Sequence, residues 1–310
     1  MFFDVHANYL YGTADYTRCP QDLQMALAMV HQAHEQGCGA ILMTPPDEAF
    51  LKRSGNDISV RFEELYSWAE LLFLLGKMTR EEVNHHADLI DKLIHNLNKR
   101  LNIPCEGIEE DVLESMAYLK ARIKDPVSEM ALFLGCEVSM DTGNVDRKIG
   151  YLKGGKLPTL NGSSCVLVSF PDHIGRADLW YCLHKLDQAG YVPVIAHAQT
   201  LRTFQEDDGI HEIRCLKGDG LRDPVYHFRA LIQLDLTSLH FSAPDRHWAR
   251  KMIEHQVVDV LGTDAKNSFT NPPHIREELR AITQICDPAY LEAITCGNAQ
   301  KRFVQGKEGN

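Results

Sequence analysis

The segment GYVPVIAH (Gly190–His197) is the strongest single indication of the fold. Residues 192–197 form a short apolar run that follows a helical pattern at 176–189 and a glycine. An apolar run of this length, next to helices, is typical of a strand in a parallel sheet that is covered on both faces. The run ends in a histidine, His197, at the carboxyl end of the predicted strand, where parallel α/β proteins place their functional groups.

On both sides of this segment, the chain repeats the same alternation of short apolar runs and amphipathic helical patterns. Strands are predicted at 2–6, 40–43, 131–138, 165–170, 192–197, 231–236 and 257–263. Helices are predicted at 176–189, 221–230, 245–256, 273–286 and 288–295, and by the spacing of Leu23, Ala26, Leu27, Val30 and Ala33 before Gly37. Seven strands predict an α/β fold and fit a barrel better than a small open sheet.

Residues 51–126 interrupt this alternation. They contain three helical patterns, centred on 62–72, 83–97 and 112–123, and no convincing strand. The region is too apolar for a disordered linker. We therefore predict a single domain over 1–310, with 51–126 as a helical insertion within it.

Composition excludes several classes of function. The 310 residues carry 32 Lys+Arg and 43 Asp+Glu, a formal net charge of −11. An acidic protein lacks the broad positive field that drives nucleic-acid binding. No apolar run approaches the roughly 18–20 residues of a membrane span, and the start has no basic region typical of a secretory signal. The nine cysteines show no CxxC spacing and are expected to be reduced, buried thiols in a cytoplasmic protein.

Four side chains of metal-ligand type follow four different predicted strands: His6, Glu137, His197 and Asp264. Because the carboxyl ends of parallel strands meet at one edge, these side chains are expected to converge. Imidazoles mixed with carboxylates suit zinc, manganese or iron. A single histidine at a strand end is more often a hydrogen-bonded structural residue, so the prediction of a metal centre depends on the four together. Walker, GxGxxG and GxSxG motifs do not occur.

The motifs resemble those of the PHP (polymerase and histidinol phosphatase) superfamily. The branch they resemble most is the bacterial manganese-dependent protein-tyrosine phosphatases of capsular and exopolysaccharide synthesis. The resemblance covers roughly 1–50 and 127–305. It is carried by Asp4–His6 (D-x-H), Thr44-Pro45-Pro46, Gly135–Glu137 (G-x-E), Gly190–His197, Asp264–Asn267 (D-A-x-N) and the closing Gly297-Asn298.

The resemblance implies a distorted (β/α)7 barrel of the TIM-like kind, with up to three metal ions in a central cleft. His6, Glu137, His197 and Asp264 match metal ligands of the family's motifs. Other positions depart from them: Asn8, Pro46 and Lys266 stand where histidines are expected, and Thr200 and Asn271 stand where arginines are expected. We therefore expect this chain to bind fewer than three metal ions, or none.

The substituted positions suggest their own roles. The amide oxygen of Asn8 is a weak ligand for a hard cation and could complete one site with His6, Glu137 and Asp264. The ammonium of Lys266 could replace the charge of a cation, as an ion pair with Glu137 or Asp264, or bind a phosphate oxygen. Arg202, which lies near the position of a missing arginine, is a second candidate substrate-binding residue.

The function implied is a metal-dependent phosphoesterase, similar to a protein-tyrosine phosphatase, which hydrolyses phosphomonoesters with metal-activated water. His197 or Asp264 would be the catalytic groups that assist proton transfer. The cofactor would be manganese, alternatively zinc or iron, and the substrate a phosphorylated protein or a small phosphomonoester.

Two alternatives stay open. One is a catalytically impaired PHP-like pseudophosphatase that acts as a binding or regulatory module and uses the helical insertion as its interaction surface. The other, a deacetylase similar to amidohydrolases, is less supported because no clear H-x-H motif occurs. Assembly into a homo-oligomer is left open as well.

Overall fold

The computed structural model describes residues 1–14, 19–52, 55–100, 115–118, 130–218, 229–267 and 271–307. These residues form an α/β protein in which every pair of neighbouring strands is parallel. The strands are β1 (Phe2–Ala7), β2 (Cys38–Met43), β3 (Ala131–Leu134), β4 (Glu137–Ser139), β5 (Cys165–Ser169), β6 (Val192–Ile195), β7 (Leu231–Asp235) and β8 (Val260–Gly262). The predicted α/β class and parallel pairing are confirmed.

The strands form two sheets, in the orders β1-β2-β3 and β4-β5-β6-β7-β8. Backbone contacts continue past the sheet ends. Between β1 and β8, the Asp264 N–H donates to the His6 carbonyl at 2.8 Å, and the Asn8 N–H donates to the Ala265 carbonyl at 2.9 Å. Between the β2 and β4 sides, the Glu137 N–H donates to the Pro45 carbonyl at 3.1 Å.

The predicted strand 131–138 is two strands in the structure. β3 pairs with β2, with Met43 opposite Leu134, and β4 pairs with β5, with Glu137 opposite Leu167. The chain changes partner at Gly135, which packs so closely that an added Cβ would lie 2.9 Å from Leu160 Cδ2. This break separates the two sheets and delivers Glu137 at the start of β4.

Apart from a helical segment at 115–118, twelve α-helices lie in the described part of the chain. They are α1 (Leu23–Glu35), α2 (Asp47–Lys52), α3 (Gly55–Leu75), α4 (Arg80–His85), α5 (Ala87–Arg100), α6 (Val145–Lys153), α7 (Arg176–Gln188), α8 (Arg202–Gln205), α9 (Gly209–Leu216), α10 (Arg246–Glu254), α11 (Arg276–Ile282) and α12 (Pro288–Glu292). π-helical turns at Ala293–Gly297 and Gln300–Val304 follow α12.

Local signals explain the helices that the sequence predicted. Asp22 caps α1 by accepting a hydrogen bond from the Met25 N–H at 2.8 Å, and Gly37 ends the turn after α1 with φ 95°. Asp287 caps α12, whose first residue is proline. Four helices were not predicted: α2, α6, α8 and α9. The helix expected at 221–230 falls almost wholly outside the described residues.

The described residues between β2 and β3 form helices α2 to α5 and a helical segment at 115–118, with no strand among them. The pattern at 83–97 is divided into α4 and α5 at His86. Part of this region has its own small apolar cluster, made of Leu71, Leu74, Ile90, Leu93, Leu97 and Met116. These side chains follow helical spacing, which is why the sequence showed the helices clearly.

The sheets contribute to two larger apolar clusters, because successive side chains of a strand point to opposite faces. The larger cluster packs the sheets against α1, α7 and α10. The smaller takes alternate residues from several strands and packs them against Phe303 near the C-terminal end; among them are Phe3, Val5, Leu42, Leu167, Val194 and Val260. No helix in the described ranges is long and apolar enough to span a membrane.

Candidate metal centre

His6, Glu137, His197 and Asp264 converge at one place in the structure. His6 Nε2 lies 3.3 Å from Glu137 Oε2 and 3.8 Å from Asp264 Oδ1. His197 Nε2 lies 3.6 Å from Glu137 Oε1, and the two imidazole rings are 4.6 Å apart. Four side chains from four separate strand regions therefore present nitrogen and carboxylate oxygen atoms to one another.

The donor types suit one divalent cation, and three separations can be compared with those of a metal site. Ligand atoms about 2.1 Å from a tetrahedral ion are about 3.4 Å apart. The separations His6–Glu137, His197–Glu137 and His6–Asp264 are 3.3, 3.6 and 3.8 Å, and the first two involve different oxygens of Glu137. Two imidazoles and two carboxylates suit zinc, manganese or iron. His6, His197 and a further carboxylate, Asp235, also form a cluster whose ligand-type atoms lie within 4.8 Å of one another.

Asp4 and Gly262 place His6. The carboxylate of Asp4 accepts hydrogen bonds from the Thr263 N–H at 2.9 Å, the Thr263 hydroxyl at 2.6 Å and the His6 N–H at 3.3 Å. These bonds join β1 to the end of β8, and burial raises the pKa of Asp4 to about 6. An added Cβ at Gly262 would lie 2.5 Å from His6 Cβ, so only glycine lets the two strands approach this closely.

His197 and Asp264 share an unusual backbone conformation. Each has φ 50°, in the left-handed region that residues with a Cβ seldom adopt. His197 lies two residues after the end of β6, and Asp264 lies two residues after the end of β8. The strained backbone is stabilised by its neighbours, and such residues concentrate at functional sites.

Asp235, at the end of β7, is a site residue that the sequence analysis did not identify. Its Oδ2 lies 2.7 Å from His197 Nδ1 and accepts a hydrogen bond from Gln199 Nε2 at 2.6 Å, while Oδ1 accepts one from Gln233 Nε2 at 3.0 Å. Its position at a strand end was the available signal. The sequence offered no reason to prefer this carboxylate over others at strand ends.

Electrostatics show that the centre is built to hold positive charge. Burial disfavours a charged His197, but the Asp235 carboxylate outweighs it and raises the pKa of His197 well above its usual value. Burial likewise opposes charge on Glu137, yet hydrogen bonds from His197 and His6 lower the pKa of Glu137 well below its usual value. The carboxylates of the centre therefore favour positive charge on the imidazoles beside them.

A sequence profile described as "Capsular polysaccharide synthesis, CpsB/CapC" matches residues 77–304, which is well over half of the chain. The chain belongs to the CpsB/CapC family. Tyrosine-protein phosphatase CpsB of Streptococcus pneumoniae is a relative, 22% identical over 192 residues, which are 58% of this chain and 70% of that protein. This assignment confirms the resemblance given by the motifs.

The fold is also that of solved CpsB/CapC relatives. Crystal structures of YwqE from Bacillus subtilis and CpsB from Streptococcus pneumoniae are described as those of unique metal-dependent tyrosine phosphatases. The match has a TM-score of 0.62 and 19% sequence identity, and it covers 98% of this chain and 94% of the other. At this identity the likeness establishes the fold alone.

Three further predicted site residues have different surroundings in this CpsB/CapC protein. Lys266 Nζ lies 2.8 Å from Asp264 Oδ2, so the expected ion pair forms with Asp264. Asn8 is buried, and its Oδ1 accepts a hydrogen bond from the Thr13 hydroxyl at 3.2 Å. The side chain of Arg202 is exposed, and its backbone N–H donates to the Asp172 carbonyl.

Proposed function

We propose that this protein is a metal-dependent phosphomonoesterase, similar to a protein-tyrosine phosphatase, that works with a single divalent cation. The observation that carries the proposal is the convergence of His6, Glu137, His197 and Asp264, with 3.3 to 3.8 Å between three pairs of their ligand-type atoms. The relatives are tyrosine-protein phosphatases, which suggests the substrate class, phosphotyrosine on a protein. Manganese is the proposed cofactor, with zinc or iron as alternatives.

The cation would be held by Nε2 of both histidines and by oxygens of Glu137 and Asp264. Once bound, it would supply Lewis-acid polarisation of the phosphoryl group and acidify the attacking water. Asn8 is a weaker candidate ligand, because its amide oxygen already accepts a hydrogen bond from Thr13.

The chain's own residues supply the remaining steps. Lys266 Nζ, only partly buried, donates to a phosphate oxygen and orients the ester. Asp264 accepts the proton of the attacking water on a carboxylate oxygen as the new P–O bond forms. The bond to the leaving oxygen then breaks, and Asp264, which took up the proton of the water, returns it to that oxygen. His197, the other candidate for this transfer, would have no nitrogen free for it, because Nε2 would bind the cation and Nδ1 is bonded to Asp235. Arg202 is a more peripheral candidate for contact with substrate.

The fold behind this site is proposed to be one distorted (β/α)7 barrel over 1–310, with 51–126 as a helical insertion. The hydrogen bonds between the ends of β1 and β8 and between Glu137 and Pro45 support closure of the two sheets into a barrel. The eight cysteines in the described part of the chain are all free thiols, which supports a cytoplasmic location. The net charge of −11 argues against nucleic acid as a partner.

A second candidate function is a catalytically impaired module that binds a phosphorylated partner. The observation in its favour is the 2.8 Å ion pair between Lys266 and Asp264, because the ammonium occupies one oxygen of a carboxylate that the cation needs. In that case Lys266 would balance the carboxylates in place of a metal ion.

Metal content and hydrolysis separate the two candidates. Protein purified without chelator is expected to contain about one metal ion per chain and to hydrolyse p-nitrophenyl phosphate when Mn²⁺ is supplied. Asp264→Asn removes a ligand and proton acceptor, so the rate should fall at least about 100-fold. Asp146→Asn, which removes an equal charge at a surface pair with Lys185, is the matched control and should leave the rate unchanged. Absence of both metal and hydrolysis across several cations would favour the binding module.

A further inference from the structure

We infer that Asp235 is a positioning residue for His197, which holds the proton of the imidazole on Nδ1 and aims Nε2 at the cation site. This inference rests on the proposed function, because it assigns a role within the same centre.

The hydrogen bonds around Asp235 form a closed set. His197 Nδ1 lies 2.7 Å from Asp235 Oδ2, and the His197 backbone N–H donates to Gln233 Oε1 at 2.9 Å. Gln233 Nε2 in turn donates to Asp235 Oδ1 at 3.0 Å. The ring of His197 therefore bonds to the Asp235 carboxylate directly, and the backbone of His197 is linked to the same carboxylate through Gln233.

Gln199 forms two further hydrogen bonds with Asp235. Its Nε2 donates to Asp235 Oδ2 at 2.6 Å, and its Oε1 accepts from the Asp235 backbone N–H at 3.2 Å. Gln199 and Gln233 are 2% and 0% exposed, so water does not compete for these bonds. The carboxylate of Asp235 cannot turn without breaking at least one of them.

This geometry fixes the chemistry of the imidazole. A carboxylate is only an acceptor, so His197 must place a proton on Nδ1 to make the 2.7 Å contact. The lone pair for a cation is then on Nε2, the atom that faces Glu137 Oε1 at 3.6 Å. The carboxylate also increases the basicity of the ring, which strengthens it as a ligand.

Direct ligation by Asp235 fits the structure less well. Its two oxygens already accept three hydrogen bonds, from His197, Gln199 and Gln233. The ligand-type atoms of His6, His197 and Asp235 lie near one another, but nearness alone does not make Asp235 a ligand. A cation bound to Asp235 would displace the proton that lies between Asp235 and His197. The two arrangements therefore differ in which nitrogen of His197 carries the proton.

The test uses zinc as a diamagnetic probe. In ¹⁵N-histidine-labelled wild-type protein loaded with Zn²⁺, correlation spectra are expected to show a proton on His197 Nδ1 and metal at Nε2. Asp235→Asn should weaken zinc affinity, measured by chelator competition, by about 10–100-fold. The amide would place an NH2 group against the Nε2 donor of a glutamine, so the set of bonds cannot re-form.

Asp259→Asn is the matched control. Asp259 is another largely buried carboxylate, bonded to Lys217 at 2.9 Å and to the Ile232 N–H, and neither partner belongs to the centre. It should leave zinc affinity within about twofold. Metal on His197 Nδ1, or a folded Asp235→Asn variant with unchanged zinc affinity, would overturn the inference.

A wrong proposed function would give a different experimental result from a wrong role for Asp235. If the wild-type protein binds no zinc, the metal site is wrong, and Asp235 is then judged on the metal-free protein alone. A slowly exchanging Nδ1 proton on His197 that persists in Asp259→Asn and is lost in Asp235→Asn supports the positioning role. Absence of that proton in the wild-type spectrum refutes it.

Discussion

The two oxygens of the Asp264 carboxylate face different partners. Oδ1 lies 3.8 Å from His6 Nε2, and Oδ2 lies 2.8 Å from Lys266 Nζ. Burial opposes charge on Lys266, but the Asp264 carboxylate raises the pKa of the lysine, so it is an ammonium at neutral pH. One carboxylate oxygen thus lies on the side of the cation site and the other against a fixed positive charge.

Lys266→Met should therefore tighten binding of a divalent cation and weaken binding of phosphate. Removal of a like charge within several ångströms of the cation should improve Zn²⁺ affinity by on the order of tenfold, while KM for p-nitrophenyl phosphate rises. Chelator competition and steady-state kinetics measure the two effects. Lys185→Met, at a surface pair with Asp146, is the control. Equal zinc affinity in Lys266→Met and wild type would show that the ammonium does not act on the site.

The sequence could select the four residues because each lies within two positions of the end of a strand. They are His6, Glu137, His197 and Asp264. The same logic did not single out Asp235, although Asp235 ends β7. Its importance comes from Gln199 and Gln233, which lie on different elements, and no sequence spacing reveals that three such side chains meet.

The strands β1 and β8 lie very close to each other at the site. An added Cβ at Gly262 would lie 2.5 Å from His6 Cβ and 2.9 Å from the His6 nitrogen. Backbone atoms cannot move aside as a flexible side chain does. The glycine therefore sets the distance between these two strand ends, and with it the position of His6.

Gly262→Ala should destabilise the protein by about 1–3 kcal/mol, since the added methyl group must displace β1. The free energy of unfolding in urea measures the effect, and zinc affinity should fall along with it. Gly150→Ala is the control: Gly150 lies within α6, no atom would lie within 4 Å of its new Cβ, and the change should be neutral or stabilising by about 0.5–1 kcal/mol. A stability of Gly262→Ala equal to wild type would contradict the close approach.

The break between β3 and β4 could not be predicted from the sequence. Residues 131–138 are one apolar run, and periodicity cannot show that the chain changes partner at Gly135. Pro45 and Pro46 continue from β2 without N–H groups to donate, which limits pairing on that side. Helix α9 was also missed. It begins at Gly209, which lies against the backbone of Phe204 five residues earlier, and apolar periodicity does not reveal this contact.

At the scale of the whole molecule, the four proposed ligands join distant parts of the chain. Asp4, two residues before His6, is bonded to Thr263 across 259 positions, and His6 meets Glu137 across 131. A cation bound by all four would therefore link β1, β4 and the ends of β6 and β8. Such a ligand stabilises the folded state as a whole and not one element.

Addition of Mn²⁺ at about 100 times its Kd should raise the free energy of unfolding by about 2.7 kcal/mol. Removal by a chelator should reverse the gain, and thermal or urea unfolding monitored by circular dichroism measures both. Asp264→Asn should abolish the gain, whereas Asp146→Asn should retain it. A gain of equal size in Asp264→Asn would mean that manganese stabilises the protein from another site.

The pairing of β1 with the end of β8 also has a consequence for synthesis on the ribosome. His6 leaves the ribosome long before Asp264, and until Thr263 has followed, the Asp4 carboxylate lacks the hydroxyl and N–H that it accepts in the finished protein. The centre therefore cannot assemble on a nascent chain that has made only β1 to β7. A growing chain is thus prevented from acquiring this set of four ligands before the last strand is complete.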